Sequence, residues 1–346
     1  MLTPRQIAIL KVIINDFIND ALPVGSKTLQ QNHELPYSSA TIRNEMATLE
    51  DLGLLEKTHT SSGRIPSNRG YRYYVDYLLD DHDLEDVLKE KLESLFSNRK
   101  LEVEEIVKET CDLIASMTNY TSIALGAESK NELVSKIEVV PLSSNSIVVV
   151  IVTKTGKVES KIFNVTSELD LDELQKCVNV LNKMLVGTKL SDVVTKIETE
   201  IKLELAKQIT NYEILLDAFV NAFIKFASDY IYVGGRANII NQPDFNDIEK
   251  IRSLISVMEN NDFFNTLANK IEGTSVMIGH ENESFTIDDV TIVTSNYRVS
   301  DEEKGVIAII GPTRMNYDKV INLLDYASDK ISQIIKEKRG EDGEEG

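Results

Sequence analysis

Residues 36 to 76, PYSSATIRNEMATLEDLGLLEKTHTSSGRIPSNRGYRYYVD, constrain the fold more than any other part of this 346-residue chain. A capped short helix must stop at Gly53, and a polar loop ending in Ser-Gly-Arg-Ile-Pro must turn the chain back on itself. Its cations are Arg43, Lys57, Arg64, Arg69 and Arg72, set among hydroxyls, amides and tyrosines. That mixture suits a surface that touches phosphates and base edges.

Upstream, Thr3 suits an N-cap with Pro4 at the first helical position. Ile7, Leu10, Ile14 and Phe17 follow at spacings of three and four, which predicts a helix ending near Asp20. Pro23-Val24-Gly25 breaks the chain, and Ser26 caps a short second helix carrying Leu29. Ser38 or Ser39 then caps a third helix with the apolar stripe Ile42, Met46, Leu49 and Leu52. Half a revolution away lie Ala40, Asn44 and Ala47, flanked by Arg43 and Thr48. Small residues permit close backbone approach, and Arg and Asn are shaped for bidentate bonds to guanine and adenine edges. An ordinary solvated helix face reads the same way, so the helix alone does not decide between them.

Leu54 to Thr58 suits a short strand, residues 59–64 a polar tip, and Ile65-Pro66 the return strand. A helix-turn-helix followed by a β-hairpin is a winged helix, whose third helix enters the major groove while the wing lies on the backbone or minor groove. His59, Thr60 and Ser61 are placed to donate to phosphate oxygens, and Arg64 to contact phosphate or the minor groove. Asn68 is expected to cap a further helix, on which Tyr71 and Arg72 would touch the sugar-phosphate backbone and Tyr74 and Leu78 would pack.

A net charge of −19 argues at first sight against nucleic acid. Through residue 75, however, Lys+Arg number 8 and Asp+Glu 7, so the remaining residues carry 29 against 49, or −20. A near-neutral head on an acidic body can bind DNA where its few cations share a face, because local phosphate contacts set the affinity. Cys111 and Cys177 stand far apart at helix-periodic apolar positions and are expected to be buried, reduced thiols. There is no run of about 18 apolar residues, and Arg5, Lys11 and Asp16 interrupt the N-terminal apolar positions. Neither a transmembrane helix nor a signal peptide is therefore expected, and a soluble, cytoplasmic, nucleoid-associated protein is.

The acidic joint at residues 80–86 leads to a linker helix with Leu84, Leu88, Leu92 and Phe96. The body opens with a helix near 102–118, then KIEVVPL, SIVVVIVT and KVESKIFNV as an antiparallel meander. Residues 167–233 read as almost pure helix, and ILLDAFVNAFIKFASDYIYV is apolar nearly all round. RANIIN, two helices over 245–270, the strands TSVMIG, DVTIVTSNY and GVIAIIG, and a final amphipathic helix complete the body. Two groups of strands separated by a helical block predict an α+β domain interrupted by an insertion. No phosphate-binding loop, nucleophile elbow or zinc motif occurs, and His33, His59, His82 and His280 are scattered without metal spacing. Gly311-Pro312-Thr313-Arg314 could hold an anion at a helix start but reads better as a connector. No enzyme activity, cofactor or metal is expected.

At PVGSKTL, SSATIRNEM, LEDLGLL, HTSSGRIP and GYRYYVDYLL the chain resembles the HrcA family of bacterial heat-inducible transcription repressors. GGRANIINQPDF, IGHEN and IIGPTRMNY extend the resemblance through the body. Thr58 replaces a usual proline in the wing, Ser62 stands where Ala is commoner, and Ser67 replaces a usual Thr. The resemblance implies a winged-helix domain at 1–80, a linker helix at 81–100, and a GAF-like domain at 101–165 and 234–337. It further implies an inserted dimerisation domain at 166–233, followed by an acidic tail at 338–346, read as disordered. It implies a homodimer that binds the CIRCE inverted repeat in double-stranded DNA and is supported by the GroEL chaperonin. The expected DNA-contacting set is Lys27, Ser38, Ser39, Thr41, Arg43, Asn44, Thr48, His59, Thr60, Ser61, Arg64, Tyr71 and Arg72. Two rivals are a repressor holding a small effector in its GAF-like domain, and a chaperone-binding scaffold whose head docks protein.

Overall fold

In a computed structural model of the chain, helix α1 (Pro4–Asp20) begins as its sequence demands. The Thr3 hydroxyl accepts from Gln6 N at 3.3 Å while Gln6 Oε1 accepts from Thr3 N at 2.9 Å, a reciprocal capping box. Helices α2 (Ser26–Asn32) and α3 (Ser39–Asp51) follow. Gly25 rather than Ser26 occupies the N-cap of α2, and no side chain caps it. Helix α3 ends in paired bonds, Leu54 N to Leu49 O at 2.9 Å and Gly53 N to Glu50 O at 2.8 Å. This double closure needs a left-handed residue, which Gly53 supplies at φ +72°.

Strands β1 (Leu55–Lys57) and β2 (Arg64–Pro66) pair antiparallel with Lys57 opposite Arg64. Val24 bridges Arg64 through reciprocal backbone bonds of 2.9 Å, so the Pro23-Val24-Gly25 break lies against the hairpin root. Helix α4 (Asn68–Tyr77) is capped by Ser67 instead of Asn68. The Ser67 hydroxyl accepts from Gly70 N at 3.0 Å and donates to Gly53 O at 2.6 Å, tying α4 to the end of α3. The described residues are 2–33, 35–58, 63–79, 84–98, 101–125, 133–143, 146–154, 156, 158–164, 171–207, 209, 216, 219–220, 231–245, 247–258, 273–281, 289–300 and 304–341.

The chain forms two compact units, Met1–Gly126 with Ile231–Gly346, and Ala127–Tyr230. In the first, α5 (Asp86–Phe96) packs on α6 (Val103–Thr118) and on the last helix, so the expected linker helix is docked, with Leu88 and Leu92 buried. Five antiparallel strands run in the order β7 (Ile231–Gly234), β3 (Thr121–Leu125), β10 (Lys304–Pro312), β9 (Val290–Arg298), β8 (Thr274–Ile278). Residues 231–233, read as a helix end, pair instead with β3, because Ile, Tyr and Val suit an edge strand beside it. Helices α10 (Arg236–Asn241) and α11 (Ile248–Met258) follow β7, and α12 (Tyr317–Glu341) closes the chain. Helix α12 continues past the expected border at 337 to residue 341, and residues 342–346 of the expected tail lie outside the described residues. One face of the sheet packs on α6 and α12, and its core is continuous with that of α1, α3 and α4.

The second unit holds the meander β4 (Val134–Ser143), β5 (Ser146–Thr153), β6 (Val158–Asn164), with α7 (Leu171–Leu185), α8 (Leu190–Lys196), one π-helical turn and α9 (Lys202–Leu205). These strands, expected with the first unit up to residue 165, form their own sheet. The reason is parity: Ile137, Ile147, Val149 and Ile151 bury against Cys177, Leu181 and Leu185 of the amphipathic helix that follows directly. On the opposite face, registers align Val140–Val148–Ile162 and Val152–Val158, and Ile162 remains 66% exposed. Most of ILLDAFVNAFIKFASDYIYV lies outside the described residues. The molecule is thus mixed α+β.

Candidate nucleic-acid interface

Ser38 is the N-cap of α3, accepting from Thr41 N at 3.1 Å, and its hydroxyl meets that of Thr41 at 2.9 Å. Ser39 meets the Ser26 hydroxyl of α2 at 3.1 Å. These four hydroxyls, three on α3 and one on α2, therefore set the start and tilt of α3. Ile42, Met46 and Leu49 are buried against α1 and α2, while Leu52, expected in this stripe, is 44% exposed because the helix has already ended. Ala40, Arg43, Asn44, Ala47 and Thr48 are all exposed on the other side. Thr48 donates back to Asn44 O at 3.2 Å, leaving the Asn44 amide on the open face.

The angle between α1 and α3 is held by Glu45, which accepts from Arg5 at 3.2 Å and from Gln6 at 3.1 Å. The Arg5 guanidinium also lies 5.1 Å from the Tyr37 ring centre. Arg43 makes no hydrogen bond or ion pair among the described residues, and neither do the exposed Lys27, Lys57 and Arg69. A cation without a protein partner is available to an anion at no internal cost. Lys57 and Arg69 were absent from the expected contact set, although both stand out in sequence as cations beside the loop.

Three expected contacts turn inward. Arg64 donates through Nε and Nη2 to Glu50 Oε2 at 2.7 and 2.6 Å, with its side chain 14% exposed. It bolts the hairpin to α3 instead of facing a phosphate. The Tyr71 ring is 2% exposed and packs on Tyr317 at 5.8 Å between ring centres. Its hydroxyl has no hydrogen-bond partner among the described residues, and burial pushes its pKa well above the ordinary tyrosine value. Arg72 donates from Nε to Glu281 Oε1 at 2.8 Å, from Nη2 to Glu281 Oε2 and Val276 O, and from Nη1 to Asp76 at 3.2 Å. Tyr71 and Arg72, read as touching the sugar-phosphate backbone, thus have their partners in the body of the first unit. His59, Thr60 and Ser61 lie outside the described residues.

Gly311-Pro312-Thr313-Arg314 acts as a connector, because both Arg314 Nε and Nη2 donate to Asp244 at 2.8 Å. Cys111 and Cys177 are buried and unpaired. Among the described residues there is no group of three or more potential metal ligands, and no helix is long and apolar enough to cross a membrane.

A crystal structure of a hypothetical protein determined at 2.2 Å is similar over 97% of this chain and 99% of its own, at 22% identity and a TM-score of 0.67. That likeness shows a shared fold. HmgR from Pseudomonas aeruginosa aligns over 96% of this chain and 98% of its own at 10% identity and a TM-score of 0.23. An IclR family transcriptional regulator from Brucella abortus aligns over 96% and 91% at 12% identity and a TM-score of 0.21. Neither of these two bears on the fold or the function. A family model described as "HrcA protein C terminal domain" matches residues 104–321, well over half of the chain. The chain therefore belongs to the HrcA family of heat-inducible transcription repressors.

Proposed function

We propose that the chain is a homodimeric repressor of heat-shock chaperone operons, and that residues 1–80 act as a winged helix reading the CIRCE inverted repeat. The carrying observation is the division of α3, with Ile42, Met46 and Leu49 buried and Ala40, Arg43, Asn44, Ala47 and Thr48 exposed. In this reading Arg43 and Asn44 bond base edges in the major groove, and Ala40 and Ala47 let the backbone approach. Lys27, Lys57 and Arg69 neutralise phosphates, and His59, Thr60 and Ser61 donate to phosphate oxygens. Ser38, Ser39 and Thr41 act indirectly, by holding the helix start.

The homodimer is proposed to form through the inserted unit, where a second copy covers the aliphatic band of Val140, Val148, Val158 and Ile162. A two-fold dimer presents two recognition helices to an inverted repeat at about 34 Å or a multiple of it. The GroEL chaperonin supports repression, and its occupation by heat-damaged proteins releases the operons. No chemical step is involved.

The test is footprinting of the full chain on its own chaperone promoters, with and without chaperonin. Protection of an inverted repeat, strengthened by chaperonin, is expected. Equal affinity for a scrambled repeat would overturn the reading.

A further inference from the structure

Three body segments carry the family resemblance outside the head: residues 234–245, 278–282 and 309–317. Operator reading by α3 gives none of them a task. In the structure two of them, 278–282 and 309–317, supply partners to the first 80 residues, and the third, 234–245, holds one of those partners in place. The 278–282 segment contributes Glu281, whose two oxygens take Arg72 of α4 in a two-pronged grip and also accept from Ile278 N at 2.8 Å. It also contributes Gly279, at φ +54°, where a Cβ would stand 2.4 Å from the Asn68 amide nitrogen at the start of α4. The 309–317 segment contributes Arg314, which donates to Ile18 O in the last turn of α1 at 3.4 Å. It adds Tyr317, which packs on Tyr71 and lies 6.5 Å from Tyr74 between ring centres. The 234–245 segment contributes Asp244, which clamps Arg314 in place through two bonds of 2.8 Å. Between the two ionic clusters, the Tyr74 hydroxyl lies 3.0 Å from Asn15 of α1 and 2.9 Å from Asp318 of α12.

We infer that Glu281, Asp244 and Arg314 are positioning residues, which lock the head to the body in one orientation and so make the protein selective for the spacing of two half-sites. The inference rests on the proposed operator binding. A head joined to its body by chain alone would swivel and accept several spacings. A head held on α4 by the Arg72–Glu281 grip and on α1 by the clamped Arg314, on either side of a buried tyrosine pair, cannot. Both guanidiniums are partly buried, so each grip is a directional, charge-assisted contact with little room to slip. The two clusters hold different helices, α4 and α1, and two attachment points prevent rotation about either one.

The test uses the full chain carrying Glu281→Gln with Asp244→Asn, substitutions that keep shape, remove the anions and leave α3 and the hairpin untouched. Affinity is measured for a single half-site, for two half-sites at the native separation, and for two half-sites separated by about five further base pairs, roughly half a helical turn. The wild type is expected to lose on the order of 10²-fold or more at the lengthened spacing, because the second head cannot reach its site. The variant should hold the single half-site within about twofold and lose only about tenfold or less at the lengthened spacing. Unchanged spacing discrimination with unchanged half-site affinity overturns the inference, as does a fall in half-site affinity in a folded variant.

A second measurement needs no DNA. Nitroxides on Gln30→Cys of α2 and Lys336→Cys of α12, both exposed, report the head-to-body distance in labelled chains diluted with unlabelled protein. A narrow distribution that broadens in the variant supports the lock, even if operator binding itself fails. Equal widths overturn it. If the double variant does not fold, Glu281→Gln alone is read by the same two measurements.

Discussion

Replacing Arg64 by alanine separates two roles that a cation at the root of a hairpin can have. Its guanidinium donates twice to Glu50 at 2.7 and 2.6 Å, and the two side chains are 14% and 31% exposed. Hydrogen bonds to charged groups contribute about 1.5–3 kcal/mol net, whereas fully exposed pairs give about 0–1 kcal/mol. Partial exposure puts this pair between the two, so Arg64→Ala should cost about 1–2 kcal/mol and lower Tm by roughly 2–8 °C for a unit of this size. Glu50→Ala should cost about as much, and a double-mutant cycle should return a coupling of about 1 kcal/mol or more. The complementary measurement is operator affinity as a function of salt. A phosphate contact accounts for a slope of about 0.9 in log affinity against log salt. Arg64→Ala should leave that slope alone, while Lys57→Ala, at the exposed register partner of Arg64, should reduce it by about 0.9 with stability unchanged. Full stability of Arg64→Ala together with a reduced slope would instead make Arg64 a phosphate contact.

Three further predictions concern separate parts of the molecule. Tyr71→Phe removes a buried hydroxyl that has no partner among the described residues, so stability should hold or rise by up to about 1 kcal/mol and operator affinity should not change; a weaker affinity would support the sugar-phosphate contact. Ile162→Asp puts a charge in the aliphatic band of the inserted unit and should convert a dimer to monomer by sedimentation, whereas an unchanged dimer would place the interface elsewhere. Burial pushes the thiol of Cys111 up to about 11 and that of Cys177 up to about 12. At pH 8 a thiol of pKa 11 is ionised to about one part in a thousand, so neither should react with a thiol reagent until the protein unfolds, and rapid native labelling would contradict the burial.

Local chemistry was legible where the partners are near in sequence. Thr3 with Pro4, the Ser38 cap and the Gly53 stop are all satisfied within a few residues, and each stands where the pattern puts it. Ser67 and Asn68 illustrate the limit. Both are good caps, and the choice falls to Ser67 because its hydroxyl also reaches Gly53 O, a bond made only after the hairpin forms. Arg72 and Tyr71 look like a nucleic-acid pair, yet their partners Glu281 and Tyr317 lie more than 200 residues away. Arg64 has the same history, since Glu50 falls on a flank of the α3 stripe and no periodicity announces that it will meet the hairpin. The sheet to which β4, β5 and β6 belong was equally hidden. Alternation marks their buried face, but not which helix covers it.

The central claim, base reading by the open face of α3, is tested most directly by Arg43→Ala. Affinity is measured for the inverted repeat and for duplexes altered at single base pairs, at one fixed salt concentration. Loss of a bidentate contact should cost about 1–3 kcal/mol on the matched operator and abolish discrimination at one position in each half-site. If the variant loses the same affinity on every duplex and keeps its discrimination at all positions, Arg43 is holding phosphate, and the account of α3 as the reading element is contradicted.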